Sequence, residues 1–400
     1  MARAESLIVS VLLTAMVALG PISTDLYLPS LPAIGRDFGV ANAEVQLTLS
    51  VFLAGFAVSQ LAYGPLSDRF GRRPVILGGL ALYLLATLVC AFASGIEMLI
   101  LARFFQAVGA CVGPVLGRAV VRDIYGRERA ARMLSYMGMA MAMAPAFGPI
   151  LGGFLEVWFG WRANFAVLGL FAATTLAAAL VTLPETNQWK SPDATRPGHI
   201  LGNYRALLRH RSYLGYVMVT ACTYSGIFSF ISGSSFVLIG LLGLTPDVYG
   251  FCFAAIVVGY MIGTFLSGRL TVRLGLERMV QIGTAVQVAG GLAGIALYLA
   301  GIVTVPGIVG PVMVFMAGTG LAMPNAQAGA IGPFPQMAGS ASALLGFFQM
   351  GLAALVGIAV GHGSGESALA MMAAIALVSL GGALAYWLVV HPAPRPAAGD

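Results

Sequence analysis

Charge is what this sequence is short of. Only 9% of its 400 residues are Asp, Glu, Lys or Arg, while 59% are hydrophobic; soluble domains run at about 25% and about 45–50%. A soluble globule built from it would have too little polar surface. Cysteine is scarce as well: Cys90, Cys111, Cys222 and Cys252 all sit in apolar runs, with no CxxC pair and no metal-ligand spacing. That excludes a disulfide framework and a zinc site and leaves them as reduced packing residues. No paired acids, HExxH or Ser/His grouping occurs within the apolar runs, so an enzyme embedded in the membrane is not indicated. A channel would repeat charged or carbonyl rings around a pore, which this asymmetric chain does not do. The formal charge of +6 says nothing of nucleic acid here, because the side of a membrane on which basic residues lie matters more than their sum.

What the sequence has is apolar runs of about twenty residues, the length an α-helix needs to cross ~30 Å of hydrocarbon. They fall near 7–28, 45–64, 74–94, 97–118, 133–154, 163–183, 212–236, 248–268, 279–301, 305–330, 339–361 and 367–390. The expectation is an all-α polytopic membrane protein with twelve transmembrane helices. Many of the 52 Gly and 20 Pro lie inside the runs, which a helix bundle in lipid tolerates. The first run resembles a signal peptide, but it lacks a small-residue cleavage site and carries Asp25, so it reads as the first span.

Of the 21 Lys and Arg, Arg36 and Arg162 fall in loops on one side and Arg103 falls within a span, leaving 18 on the other side. By the positive-inside rule that side is cytoplasmic, with both termini inside. The opposite loops carry Asp37, Glu44, Glu97, Glu156, Asp247 and Glu366. The polar stretch 184–211 separates six spans (1–183) from six more (212–400 with a short tail) and reads as a cytoplasmic linker. The halves repeat: Gly64, Leu66, Arg69 and Gly71 after the second span match Gly268, Leu270, Arg273 and Gly275 after the eighth. Two pseudo-symmetric six-helix bundles with a site between them at mid-membrane is the architecture of a carrier.

Gly64-Pro-Leu-Ser-Asp-Arg-Phe-Gly-Arg-Arg-Pro74 resembles the loop signature of the major facilitator superfamily, in the place that family has it. Its glycines suit a tight turn; Asp68 is available to an Arg or a helix end at a cytoplasmic gate, and Arg69, Arg72 and Arg73 hold the loop inside. A purely topogenic basic loop is the alternative for the arginines and a weaker one for Asp68, since topology needs no acid. Arg103-Phe-Phe-Gln-Ala-Val-Gly109 and Leu183-Pro-Glu-Thr186 fit the same family. Ala144-Pro-Ala-Phe-Gly-Pro-Ile-Leu-Gly-Gly153, with Pro145, Gly148, Pro149 and Gly152, resembles the helix-five segment of its drug-exporting antiporters. Plain close packing of small residues is the alternative. Ile22-Ser-Thr-Asp-Leu-Tyr-Leu-Pro-Ser-Leu-Pro32 and Arg118-Ala-Val-Val-Arg-Asp-Ile-Tyr125 resemble the bicyclomycin/chloramphenicol resistance (Bcr/CflA) subfamily. The second-half loop departs from the signature, with Val272 in the place of Asp68.

Ionisable side chains within spans are costly and face protein or water-filled space. Asp25 is the only carboxylate so placed. A carboxyl in a low-dielectric site exchanges its proton near neutral pH, as a reversible proton carrier requires, and Asp25 is the candidate proton site; a cap at the end of helix one beside Pro29 is the alternative. Arg103 keeps its proton, so its role is electrostatic, at a carboxylate or at backbone carbonyls, or else it is a clamp between helices. Arg118 and Asp123, near the cytoplasmic end of helix four, are second-rank candidates. Tyr224, Phe228 and Phe230 in helix seven and Asn325 and Gln327 in helix ten have the rings and amides that suit a cavity for an amphipathic molecule, although aromatics are common in any bundle. Tyr27 points away from Asp25, and His362 and His391 lie at the membrane faces.

The resemblance implies export of drug-like small molecules in exchange for protons by alternating access, across a bacterial-type cytoplasmic membrane, by a monomer with no cofactor and the proton gradient as energy source. An uptake symporter, or an exporter of an endogenous metabolite, shares the fold and loop signatures. The helix-five and Asp25 segments are of exporter type.

Overall fold

The computed structural model describes residues 7–187, 190, 195–363 and 367–391, with side chains throughout except at 7, 126–132, 135, 136, 138–140, 142, 197, 199 and 200. Glu366, Pro192 and the tail beyond His391 lie outside the described residues. The chain folds into helices, with no strand among the described residues: α1 (Leu7–Asp25), α2 (Leu31–Phe38), α3 (Asn42–Phe70), α4 (Arg72–Ala91), α5 (Ile96–Ala110), α6 (Val112–Phe159) and α7 (Arg162–Thr182), then α8 (Pro197–Leu208), α9 (Arg211–Ser235), α10 (Pro246–Leu274), α11 (Leu276–Leu299), α12 (Val305–Ile331), α13 (Ala338–Gly363) and α14 (Leu369–Ala385).

Eleven stretches have the length and hydropathy of a membrane span, and Met143–Phe159 is a shorter apolar helix. The latter belongs to the fifth span, so twelve helices form the bundle. α6 holds the end of the fourth span and all of the fifth. Gly117 in its first part faces Leu13 and Val17 of α1 and also Met137, yet twenty residues of straight helix cover about 30 Å. The chain therefore folds back between Gly117 and Met137. The first span is longer than hydropathy suggests, running from Ile8 to Phe38. α1 ends at Asp25, a short 3-10 turn follows at Leu28–Ser30, and α2 continues the path. Pro29 and Pro32 interrupt the helix, since proline removes a donor and clashes with the preceding turn, but they do not turn the chain out of the bundle. α8, lying within the 184–211 stretch, adds a helix between the halves.

α3 gives way to α4 at Gly71 (φ +105°), and α10 to α11 at Gly275 (φ +81°). Both are positive-φ positions that glycine adopts without a side-chain clash, and both sit at matching places in the sequence repeat.

The apolar core has a pattern that positions the site. At the end away from these two turns, one continuous cluster joins both halves, running from Leu26, Leu31 and Leu49 to Phe228, Tyr249 and Phe315. At the basic end the cores separate: one contains Leu13, Val112 and Met137, and another contains Tyr213, Ala326 and Leu345. The halves share one core at one end; at the other they hold separate cores, bridged along α3 and α13 where Met350 packs on the first-half core and Leu61 on the second. Besides the shared core, two long seams join the halves. α3 runs against α13, with Gln46 on Gly361, Ser50 on Gly357 and Gln60 on Gly346. α6 meets α10 where Gly250 rests on the backbone of Pro149 and Ile150, and Gly153 on that of Pro246.

Candidate functional site

Asp25 closes α1 at the point where its helix breaks, and only 3% of its surface is accessible. Helix five is pressed against it: a Cβ on Gly148 would lie 2.8 Å from the Asp25 Cβ, and one turn on Gly152 abuts the backbone of Leu26. Only a residue without a side chain permits that approach, so the glycines of the helix-five segment seat the acid. From the other half, Tyr249 of α10 shares the continuous core with Leu26, and Tyr224 of α9 packs on that core. Tyr249 also exchanges a hydrogen bond with Ser234 at 2.8 Å. No hydrogen bond or ion pair reaches the Asp25 carboxyl among the described residues. It caps no helix, and it stands unpaired at the junction of the two halves.

Arg103 lies on the opposite flank of α1, wholly buried. It donates to the Ser23 carbonyl at 3.1 Å and to Gln106 Oε1 at 2.6 Å. Its guanidinium rests 4.8 Å from the ring centre of Tyr27 and 4.3 Å from that of Phe52. Gln106 in turn donates to Thr87, and Tyr27 shares a hydrogen bond with Thr48. No carboxylate pairs with Arg103 among the described residues, and its Nε and Nη2 have no acceptor. Ring faces and carbonyls partly offset the burial of its charge. Arg103 and Asp25 thus flank the same helix end without touching: the cation fixes the backbone at Ser23, and the acid faces the other half.

The residues singled out as substrate-facing divide. Tyr224 packs on the core shared by the halves and is partly accessible. Arg118 is exposed and donates to the Pro114 carbonyl at 2.6 Å. Phe228 is buried at the meeting point of the halves, against Gly357. Phe230 packs on Phe253 with ring centres 5.4 Å apart, inside the second half. Asn325 donates to Ser267 at 2.8 Å and accepts from Thr271 at 3.1 Å, tying α12 to α10. Gln327 is half-buried.

At the basic end the first-half loop builds a charge network. Arg72 pairs with Asp68 at 2.6 Å and with Asp123 at 3.3 Å, and its guanidinium also bonds Ser67. The Glu185 carboxylate accepts from the backbone N–H groups of Arg72 at 2.9 Å and Arg73 at 3.3 Å, the start of α4, where a helix dipole favours an anion. Arg73 donates to the Leu180 carbonyl, and Arg69 to Thr195. A Cβ on Gly71 would run into Glu185, while Gly64 has open space. Asp68 and Asp123 therefore share one arginine, and all partners belong to the first half or the segment after it. The equivalent second-half position, Val272, is 89% exposed. Glu185 is the member that reading by residue type passes over; the Leu183-Pro-Glu-Thr186 segment was its signal.

A family model described as Major Facilitator Superfamily matches residues 13–358. The chain is 30% identical over 371 residues to a bicyclomycin resistance protein homolog of Haemophilus influenzae, covering 93% of each. It is 31% identical over 352 residues to multidrug resistance protein D of Escherichia coli, covering 87% of each. With a chloramphenicol resistance protein of Pseudomonas aeruginosa it shares 32% over 345 residues, 85% of this chain and 80% of the relative. Among solved structures, a D-xylose–proton symporter superposes with TM-score 0.73 at 15% identity, over 97% of this chain and 98% of that one. That likeness speaks for the fold alone.

Proposed function

The chain belongs to the major facilitator superfamily, in its bicyclomycin/chloramphenicol resistance branch, and from that premise we propose that it exports drug-like small molecules in exchange for protons. The observation that carries the reading is Asp25, an unpaired buried carboxyl held by Gly148 and set where the core is shared with Tyr224 and Tyr249 of the other half. A group at the junction of two moving halves is the one whose surroundings change most when they rock. A proton bound there biases one arrangement, and a substrate that prefers the ionised site biases the other; this differential affinity is what coupling requires. Arg103 sets the position of the helix end from behind. Tyr224 faces the substrate path, with Phe228, Phe230, Asn325 and Gln327 supporting it from the second half.

The basic end is cytoplasmic, with both termini inside. The conformation described is then inward-facing, sealed on the outer side by the shared core and by α6 against α10. Asp68, Arg69, Gly71, Arg72 and Arg73, joined by Asp123 and Glu185, form the cytoplasmic gate assembly that closes when the halves rock the other way. The carrier acts as a monomer in the inner membrane and uses the proton gradient, with no cofactor.

The test is a susceptibility and efflux panel, including chloramphenicol and bicyclomycin, in a host stripped of its own pumps. Expression of the chain is expected to raise tolerance to at least one compound, with efflux lost on adding an uncoupler. Full expression with no change across the panel would contradict export of such compounds.

A further inference from the structure

Gly148, Gly152 and Glu156 lie four residues apart on α6 and so form one stripe. The stripe tracks the broken end of the first span. Gly148 faces Asp25, Gly152 faces the backbone of Leu26, and Glu156 accepts a hydrogen bond from Ser30 Oγ at 2.6 Å. Eight residues of helix put Glu156 about 12 Å beyond Gly148, toward the sealed end. Asn164 of α7 donates to Ser30 Oγ at 2.8 Å, and its own Oδ1 is buried without a partner. Glu156 is itself partly accessible, and a shallow surface depression lined by Arg36, Asp37, Phe159 and Arg162 among others, though not by the trio, lies next to this end of α6. Arg36 and Asp37 act on Glu156 electrostatically, and Asp37 is itself tied to Trp161 and Arg162. From the other half, Asp247 of α10 brings its backbone against Gly153, one turn before Glu156.

We infer that Glu156 is the outer proton port of the carrier, the group that takes protons from the external solution and passes them toward Asp25. The inference rests on the proton-coupled reading and on the basic end being cytoplasmic. Glu156, Ser30 and Asn164 all belong to the first half, so the trio stays assembled when the halves rock, whereas the surroundings of Asp25 change. A hydronium ion at the outer surface gives its proton to the partly accessible Glu156 carboxylate and leaves as water. The resulting acid donates to Ser30, whose hydroxyl is then free to give its own proton onward through water to Asp25. Glu156 ends ionised and Asp25 neutral, and charge is conserved. In the present conformation Gly152 against Leu26 closes the route between them, which prevents a proton leak while the carrier is open inside.

The test needs no drug, so its failure is separable from failure of the export reading. Purified protein is reconstituted in one orientation, and protonation of Asp25 is followed by the infrared carboxyl band that Asp25→Asn abolishes, after an acid jump on one side. Glu156→Gln keeps an oxygen to accept from Ser30 but does not titrate. It is expected to slow protonation from outside by about tenfold or more and to leave protonation from inside unchanged, which also serves as the folding control. Glu156→Asp should largely restore the outer rate. An unchanged outer rate in Glu156→Gln, equal slowing from both sides, or no Asp25 protonation from either side would overturn the proposal.

Discussion

Gly250→Ala should push the carrier out of its sealed-outside conformation. A Cβ at this position in α10 would lie 2.6 Å from the Ile150 Cα and 2.8 Å from the Pro149 oxygen. Both are backbone atoms of α6, on the other half, and neither has a rotamer to give. Overpacking of this kind costs about 1–3 kcal/mol. The cost falls only on the conformation in which α6 and α10 touch, because parting the halves at that end frees the methyl. The sealed-outside population should therefore drop about 5- to 150-fold relative to the outward-open one. Spin labels on the outer ends of α6 and α10 would report it as a shift of the distance distribution to longer values. Gly259→Ala is the matched control: its Cβ would meet Met313 of α12 within the same half, so it should lower the unfolding temperature without moving the distance. Gly310→Ala, with nothing within 4 Å, should do neither. A distance distribution unchanged in Gly250→Ala, in protein that still carries the α6–α10 contact, would refute the assignment of this seam as the outer seal.

The opposite shift is expected from Gln46→Met. Both amide atoms of Gln46 are buried without partners on the α3–α13 seam, each such group costing about 1–3 kcal/mol when left unmet, so a chain of similar reach without the amide should favour the sealed conformation in the same spin-label assay. Asp68→Asn should cost under about 1 kcal/mol of stability, since the Asp68 carboxylate is half-exposed, yet impair efflux far more than Val272→Asn; equal losses would mean that the two loops act only through local folding. A reporter active only outside the cytoplasm should be active when fused after Glu97 and silent after Lys190, and the reverse pattern would invert the topology.

Hydropathy and the positive charges were enough to lay out twelve spans and two halves, because membrane length and backbone satisfaction leave few alternatives. The first span's true end was not readable, since Pro29 and Pro32 signal a break equally well whether the chain leaves the bundle or bends within it. Asp25 was legible as a lone embedded acid. Its neighbours were only half legible: the four-residue spacing of Gly148, Gly152 and Glu156 was in the sequence, but the partner of that stripe is a tertiary fact. Tyr249 carried no signal apart from its type. Phe230 and Asn325 show the limit of reading by type. An aromatic ring and an amide suit a binding cavity, yet here one packs on Phe253 and the other bridges Ser267 and Thr271, and only the fold decides which way a helix face turns. Glu185 lies 113 residues from Arg72, a separation at which no local pattern pairs them.

The most direct test of the coupling account is binding to detergent-purified protein across pH 5 to 9, with proton release read by an indicator dye in weak buffer. Wild-type protein is expected to release protons when a cationic or neutral drug binds, and its affinity should fall as the pH drops and Asp25 takes up its proton. Asp25→Asn keeps the size and hydrogen-bonding capacity of the side chain, so the drug should still bind, with a flat pH dependence and no proton release. A mutant that binds drug and still releases protons would place the exchanged proton elsewhere.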